Sequence, residues 1–203
     1  YISGNFAIIY VCSVFPKIPP YASHSVAGLA GCCGNYAHGI FVGTGQKNGG
    51  ALNCQIVMLE IKKNILLAPY TTFRIGGPAK FFVEVKSEEE LIEALEYVKK
   101  NNLKFFILGG GSNLLVNDKG FNGLVIKLQI TGYEMRDSLI EAGAGIQLAL
   151  LVNSVSQNGL TGLEWAAGIP GTVGGAVRGN AGAFEGCMQD LIESAKVFDA
   201  KKS

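Results

Sequence analysis

The stretch Phe105–Val116, FFILGGGSNLLV, places three consecutive glycines directly after an apolar run. The run Lys104–Leu108 has the bulky apolar composition of a strand. At the carboxyl end of a parallel strand, a glycine turn lets neighbouring main-chain N–H groups point outward together, and such amides bind phosphate oxygens. Ser112 and Asn113 could add side-chain donors. The stretch alone is equally compatible with a tight turn that holds no ligand.

The residues before this stretch predict a βαβ unit. Ala79–Val85 is rich in Phe and Val and predicts a strand, and residues 87–102 carry the apolar spacing of a helix. Ser87 is a good N-cap residue, and Glu90 three positions later completes a capping box. Two strands joined by a helix imply a parallel pair with a right-handed crossover, so we expect strands 79–85 and 104–108 to be parallel partners.

Further elements follow the glycine turn. Gly123–Leu128 and the segment Gly132–Gly145 have the composition of strands, and Ile146–Gly159 predicts a helix that Gly159 ends. Asp190–Ala200 predicts a last strand. The expected fold class is therefore a mixture of helices and strands.

A second glycine-rich segment, Gly168–Gly182, contains six of the 28 glycines of the chain. Each interior glycine costs a helix about 1 kcal/mol relative to alanine, so we expect no ordinary helix here. A ligand lying against the main chain would explain the cost, and close packing of backbone on backbone is the alternative. Asn180 is a plausible donor to a planar heterocycle.

The common nucleotide-binding motifs are absent. No glycine–lysine–hydroxyl run of a P-loop occurs. A dinucleotide fingerprint needs glycine at its sixth position, which is Leu114 when counted from Gly109 and Leu148 when counted from Gly143. The expected phosphate site therefore belongs to another architecture.

Residues 1–57 differ from the rest of the chain. They hold only two charged side chains, Lys17 and Lys47, together with four of the five cysteines and both histidines. The cysteine spacing does not match a metal module, and a disulfide-stapled secreted segment is an alternative. We predict an atypical leader, disordered or mis-assigned, with the protein proper beginning at Met58. A net charge of +1 and the lack of a long apolar run predict neither nucleic acid nor membrane as a partner.

Four ordered blocks carry a family resemblance. They are YTTFRIGGPAKFF (Tyr70–Phe82), ILGGGSNLLV (Ile107–Val116), AGAG (Ala142–Gly145) and GLEWAAGIPGTVGGAVRGNAGAF (Gly162–Phe184). Together they resemble the N-terminal part of the MurB family of UDP-N-acetylenolpyruvoylglucosamine reductases. The resemblance runs from about Met58 to the end of the chain.

The resemblance implies an α+β fold of the vanillyl-alcohol oxidase (PCMH) type, incomplete here, with FAD-binding subdomains at residues 58–130 and 131–203. It implies that the first loop holds the FAD pyrophosphate and that the second glycine segment runs along the flavin, with the opening motif near the cofactor. The implied cofactor-binding residues are Gly109, Gly110, Gly111, Ser112, Asn113, Leu114, Gly168, Gly171, Thr172, Gly174, Gly175, Asn180, Gly182, Thr72 and Arg74. No metal ligand is expected.

The implied reaction uses NADPH as hydride donor and reduces the enolpyruvyl group of a UDP-sugar to give UDP-N-acetylmuramate in the cytoplasm. The family's arginine in a Tyr-Arg-x-Ser motif, its serine proton donor and its glutamate have no counterpart here. We therefore expect a C-terminally truncated, inactive fragment whose catalytic residues lie beyond residue 203. The alternatives are another flavin oxidase or dehydrogenase of the same fold, or a non-catalytic FAD-binding fragment. Trp165 is interpreted as a packing residue, with a cofactor stacker as the alternative, and Cys187 as an ordinary semi-buried thiol.

Overall fold

A computed structural model describes residues 6–14 and 59–199 of the chain. The strands of the two main sheets are β1 (Phe6–Val14), β2 (Lys62–Leu66), β3 (Pro78–Val85), β4 (Phe105–Leu108), β5 (Phe121–Leu128), β6 (Tyr133–Arg136), β7 (Leu139–Gly143) and β10 (Ile192–Asp199). The helices are α1 (Glu88–Lys100), α2 (Leu148–Gln157) and α3 (Val173–Gly179), and a short hairpin pairs β8 (Gly182–Ala183) with β9 (Gly186–Cys187). The mixed α+β class agrees with the sequence analysis.

The first sheet has the strand order β2-β3-β5-β4. Strands β3 and β4 are parallel, as the βαβ pattern predicts, but they are not partners: β5 lies between them and pairs with both. The expectation of a direct pair was wrong because β5 returns later in the chain to the central position. Its run from Gly123 to Ile126 is buried, which is typical of a strand covered on both faces.

The two faces of this sheet have different environments. Val83 and Ile126 point into the larger core, which also holds Leu91 of α1. Phe82 and Val125, one residue earlier along β3 and β5, belong to a smaller cluster on the opposite face. The face opposite α1 is therefore the one that the loops after β2 and β4 can reach.

Helix α1 begins as the sequence predicts. Ser87 Oγ accepts a hydrogen bond from the Glu90 N–H group at 3.3 Å. The second hydrogen bond of the predicted capping box, from the Ser87 N–H group to the Glu90 side chain, is replaced by another. Glu90 Oε2 accepts instead from the Lys86 N–H group at 2.6 Å. The carboxylate still satisfies a main-chain donor before the helix.

The second sheet has the order β10-β1-β7-β6, and all of its neighbouring strands are antiparallel. Strand β1 lies between β10 and β7, and the side chain of Val11 is buried. The sequence analysis predicted no strand in residues 1–57, since an apolar run without a period of two gives no clear signal. Residues 1–5 and 15–58 lie outside the described residues, so the other predictions for the leader stay predictions.

One large core joins the two sheets. It combines Val85 and Leu128 of the first sheet with Ile140 of the second and Leu148 of α2. The predicted domain boundary at residues 130 and 131 falls in the connection between β5 and β6 and stays a prediction. Helix α2 ends before Gly159, whose φ is +68°. Among the described residues, no helix is long and apolar enough to cross a membrane.

Candidate dinucleotide site

The loop after β4 presents a row of unused main-chain donors. None of the five N–H groups from Gly109 to Asn113 donates a hydrogen bond to another described residue. Gly111 has φ +67°, a backbone conformation that reverses the direction of successive amides. Consecutive amides of this kind at the end of a strand form an anion-binding concavity. The loop therefore has the donor set that the sequence predicted for a phosphate group.

The opening motif packs directly on this loop. The Thr72 N–H group donates to the Gly111 carbonyl oxygen at 3.1 Å. A Cβ atom on Gly111 would lie 2.0 Å from the Tyr70 carbonyl oxygen, so only glycine fits. The resemblance implied that Thr72 and Arg74 lie near the cofactor, and this contact brings Thr72 to the loop after β4.

The second glycine segment meets the same loop from the other side. Ser112 Oγ donates to the Pro170 carbonyl oxygen at 3.0 Å. A Cβ on Gly110 would lie 2.9 Å from the Gly171 Cα atom, and one on Gly109 would lie 2.6 Å from Thr172 Oγ1. Two glycine-rich segments far apart in sequence therefore converge at one place.

Contrary to the sequence prediction, the second segment contains a helix. Thr172 is the N-cap of α3 and its Oγ1 accepts from the Gly175 N–H group at 3.4 Å. The Gly174 N–H group donates to the Ala144 carbonyl oxygen at 2.9 Å, and a Cβ there would lie 2.6 Å from Ala144 Cβ. Close packing offsets the conformational cost that glycine imposes on a helix.

The protein's own packing thus explains several predicted ligand glycines. A side chain would collide with protein atoms at Gly109, Gly110, Gly111, Gly171, Gly174 and Gly182. No described atom lies within 4 Å of a Cβ built on Gly168, and Gly175 has only an ordinary contact. A ligand is therefore not needed to explain most of these glycines. The amides of Gly109–Asn113, which have no described partner, are the stronger evidence for an anion site.

Two cavities adjoin the loop. A polar cavity of about 290 Å³ is lined by Thr72, Arg74, Gly110 and Lys127, among others. An apolar cavity of about 260 Å³ includes Leu114 in its lining, and Thr71 contributes to both cavities. FAD has an anionic pyrophosphate between two flat ring systems, so cationic and apolar spaces side by side match its chemistry. The residues present therefore fit the group.

Two predicted site residues lie at the other end of α3. Asn180 has φ +44° and ends the helix, and its side-chain amide donates to Gln189 Oε1 at 3.2 Å. Its Oδ1 accepts from the Gln189 N–H group at 3.0 Å. A Cβ on Gly182 would lie 2.7 Å from the Gly186 carbonyl oxygen. The structure does not bring these two to the loop after β4, and their cofactor role stays a prediction.

The sequence analysis missed Lys127 and Tyr70. Lys127 Nζ lies 4.8 Å from the centroid of the Tyr70 ring, at the rim of the polar cavity. A signal was available, because alternation along GLVIKL puts Lys127 on the same face as Val125. Which face the loop would reach could not be deduced without the strand order.

Trp165 packs against the larger core, and Cys187 is a half-buried thiol in β9. A Cβ on Gly186 would lie 2.6 Å from Trp165 Cδ1, so the indole covers that turn. Cys187 Sγ lies 3.0 Å from Asp190 Oδ2, and the hydrogen bond to that carboxylate raises the pKa of the thiol, with burial and the negative charge acting in the same direction. Among the described residues, no cluster of three metal-ligating side chains occurs.

An α+β fold in which main-chain amides without a described partner adjoin a cavity lined by Arg74 and Lys127 has the features of an anion-binding class of protein. A family profile described as an FAD binding domain matches residues 79–202, and the chain belongs to that family. FAD is therefore its cofactor, as the sequence resemblance implied.

Relatives of known name agree with the resemblance. The chain is 45% identical over 141 residues to a UDP-N-acetylenolpyruvoylglucosamine reductase of Clostridium novyi, covering 69% of this chain and 46% of the relative. It is 44% identical over 142 residues to the reductase of the same name from Caldicellulosiruptor bescii, covering 70% and 45%.

A solved structure has a similar fold. The crystal structure of UDP-N-acetylenolpyruvylglucosamine reductase (MurB) from Thermus caldophilus aligns with a TM-score of 0.54 at 34% identity, over 71% of this chain and 54% of that one. The chain spans about half the length of the curated relatives it matches.

Proposed function

We propose that this chain is the FAD-holding part of a reductase that converts UDP-N-acetylglucosamine enolpyruvate to UDP-N-acetylmuramate with NADPH. The observation that carries the proposal is the row of five amides at Gly109–Asn113 that bond to no other described residue, next to the polar cavity lined by Arg74 and Lys127. The names of the relatives supply the substrate class.

The proposed division of work among the residues follows the geometry. The amides of residues 109–113 bind the pyrophosphate, and Thr72 and Arg74 stand at the same cavity. Thr172 caps α3 by accepting from the Gly175 N–H group, and the Gly174 N–H group fixes that helix to the Ala144 carbonyl oxygen. FAD, when held by these residues, would supply the hydride-transfer chemistry that couples NADPH oxidation to reduction of the enolpyruvyl double bond.

Substrate binding and proton delivery are not assigned to this chain's described residues. By the resemblance, these tasks belong to an arginine, a serine and a glutamate that have no counterpart in residues 58–203. The small-molecule partner is the UDP-sugar, with neither nucleic acid nor membrane proposed as a partner. The cytoplasm is the proposed compartment, because both NADPH and UDP-sugars are made there.

The test is direct. The purified full chain is titrated into FAD, and flavin fluorescence is followed together with anaerobic reduction of the bound flavin by NADPH. The proposal expects quenched flavin emission with weak affinity, since the matched relatives are about twice as long. Binding of FAD with covalent attachment would favour an oxidase of the same fold, and no binding at any concentration would refute the assignment of the site.

A further inference from the structure

Lys127 lies next to the free amides although no glycine motif contains it. It belongs to β5, directly beside Leu108, the last residue of β4, in the parallel register. Gly109 follows Leu108, so Lys127 and the start of the loop lie at the same end of the sheet, where β4 and β5 both end. Lys127 and Gly110 line the same polar cavity.

An aromatic stack holds the lysine in this position. Its Nζ atom lies 4.8 Å from the Tyr70 ring centroid, within the range of a cation–π contact. The Tyr70 ring in turn lies 4.7 Å from the Phe82 ring, centroid to centroid. Phe82 is fully buried, so the stack anchors a half-buried ammonium group to the sheet.

The cavity contains positive charge without a compensating carboxylate. Arg74 and Lys127 both line it, and none of its lining residues is acidic. The ion pairs found among the described residues, at Lys62, Arg136 and Lys196, involve neither cation. Glu84 is the register neighbour of Lys127 on β3, but the two side chains form no ion pair. Two unpaired cations in one cavity attract an anion.

We propose that Lys127, oriented by Tyr70, binds the pyrophosphate of FAD and supplies, with Arg74, the charge that balances its two phosphates. The proposal rests on the proposed function and adds a residue to the same site. The neutral amides of the loop orient the phosphate oxygens by hydrogen bonding. The two cations supply the charge-dependent part of the affinity for FAD.

The experiment measures FAD affinity by quenching of flavin fluorescence on the full chain, at low and at high salt. Lys127→Gln removes the charge and keeps a long polar side chain, and Lys127→Arg keeps the charge. Lys100→Gln is the matched control, since Lys100 is exposed at the end of α1 on the other face of the sheet. Thermal unfolding followed by circular dichroism checks that each variant is folded.

We expect Lys127→Gln to weaken FAD binding about tenfold at about 0.05 M salt, as for loss of a charge-assisted hydrogen bond. The difference should shrink at about 0.5 M salt, where charges are screened over a few ångströms. Lys127→Arg should restore most of the affinity.

A folded Lys127→Gln variant that binds FAD as tightly as the Lys100→Gln control would overturn the role of Lys127 and leave the FAD site itself standing. A loss that is equal at both salt concentrations would also overturn it, because a merely structural effect is not screened. If the unaltered chain binds no FAD at either salt concentration, the proposed function fails, and the role of Lys127 fails with it.

Discussion

Ser112 and Pro170 are 58 positions apart in sequence, and the Ser112 hydroxyl donates a hydrogen bond to the Pro170 carbonyl oxygen at 3.0 Å. A hydroxyl group has one proton to donate, so while this bond is present Ser112 cannot also donate to a phosphate. The side chain of Ser112 therefore links the two glycine segments, while its main-chain amide is one of the five proposed phosphate donors.

Replacing this hydroxyl tests the link. Ser112→Ala should lower the free energy of unfolding by about 1 kcal/mol, the usual net value of one hydrogen bond, and should weaken FAD binding several-fold by loosening the loop. Urea denaturation and flavin fluorescence measure the two effects. Ser156→Ala, at an exposed position of α2, is the control. An unchanged stability together with a large loss of affinity would mean instead that the hydroxyl binds the cofactor directly.

Three glycines allow the steric requirement for glycine to be tested separately from contact with the ligand. Gly111 combines φ +67° with a blocked Cβ position, Gly159 has φ +68° in open space, and Gly168 is in open space without a positive φ. Replacement by alanine should destabilise the chain by about 3 kcal/mol at Gly111 and about 1 kcal/mol at Gly159. At Gly168 it should be neutral or slightly stabilising. Denaturation without FAD gives these values.

The same Gly168→Ala variant tests the predicted cofactor contact. Since no described protein atom is near that position, any loss of FAD affinity must come from the ligand side. We expect a several-fold loss, measured by fluorescence quenching. Unaltered affinity would remove Gly168 from the predicted cofactor-binding residues.

The thiol of Cys187 gives a prediction that does not depend on FAD. The hydrogen bond to Asp190 raises the pKa of the thiol above its usual value, so the reactive thiolate is scarce at neutral pH. The bond favours the protonated thiol, so its contribution to stability is present below the unfolded-state pKa and is lost as pH rises through the folded-state pKa.

Alkylation by iodoacetamide, resolved by peptide mass spectrometry, measures the effect. Cys187 should react more slowly than a free thiol at pH 8, and Asp190→Asn should speed the reaction at this cysteine. An equal rate before and after the substitution would mean that Asp190 does not control the thiol.

The sequence predicted α1, β3, β4 and β5 because local signals determine them: the Ser87 cap, the spacing of Leu91 and Leu95, and the apolar runs of the strands. From the three glycines after a strand it proposed a phosphate-binding loop, with a tight turn that holds no ligand as the equal alternative. These features depend on neighbours in the chain, which a sequence displays directly.

Other features depend on partners that are distant in sequence. The central place of β5, the insertion of β1 between β7 and β10, and the contact of Lys127 with Tyr70 all follow from strand order. The low helix propensity of glycine argues against helix α3. The helix forms because Gly174 packs closely against Ala144. Asn180 was proposed from its side-chain donor and Gly182 from the density of glycines, both supported by the resemblance, and the structure places both beyond the converging loops.

The central claim is that the five amides of Gly109–Asn113, which have no partner in the described part of the chain, bind the pyrophosphate of FAD. Amide hydrogen exchange of the full chain, resolved by NMR with and without FAD, tests it most directly, with the amides of α1 as an internal control. We predict fast exchange of these five amides in the free chain and marked protection when FAD is bound, while α1 stays unchanged. Binding of FAD that leaves the exchange of all five amides unaltered would contradict the claim.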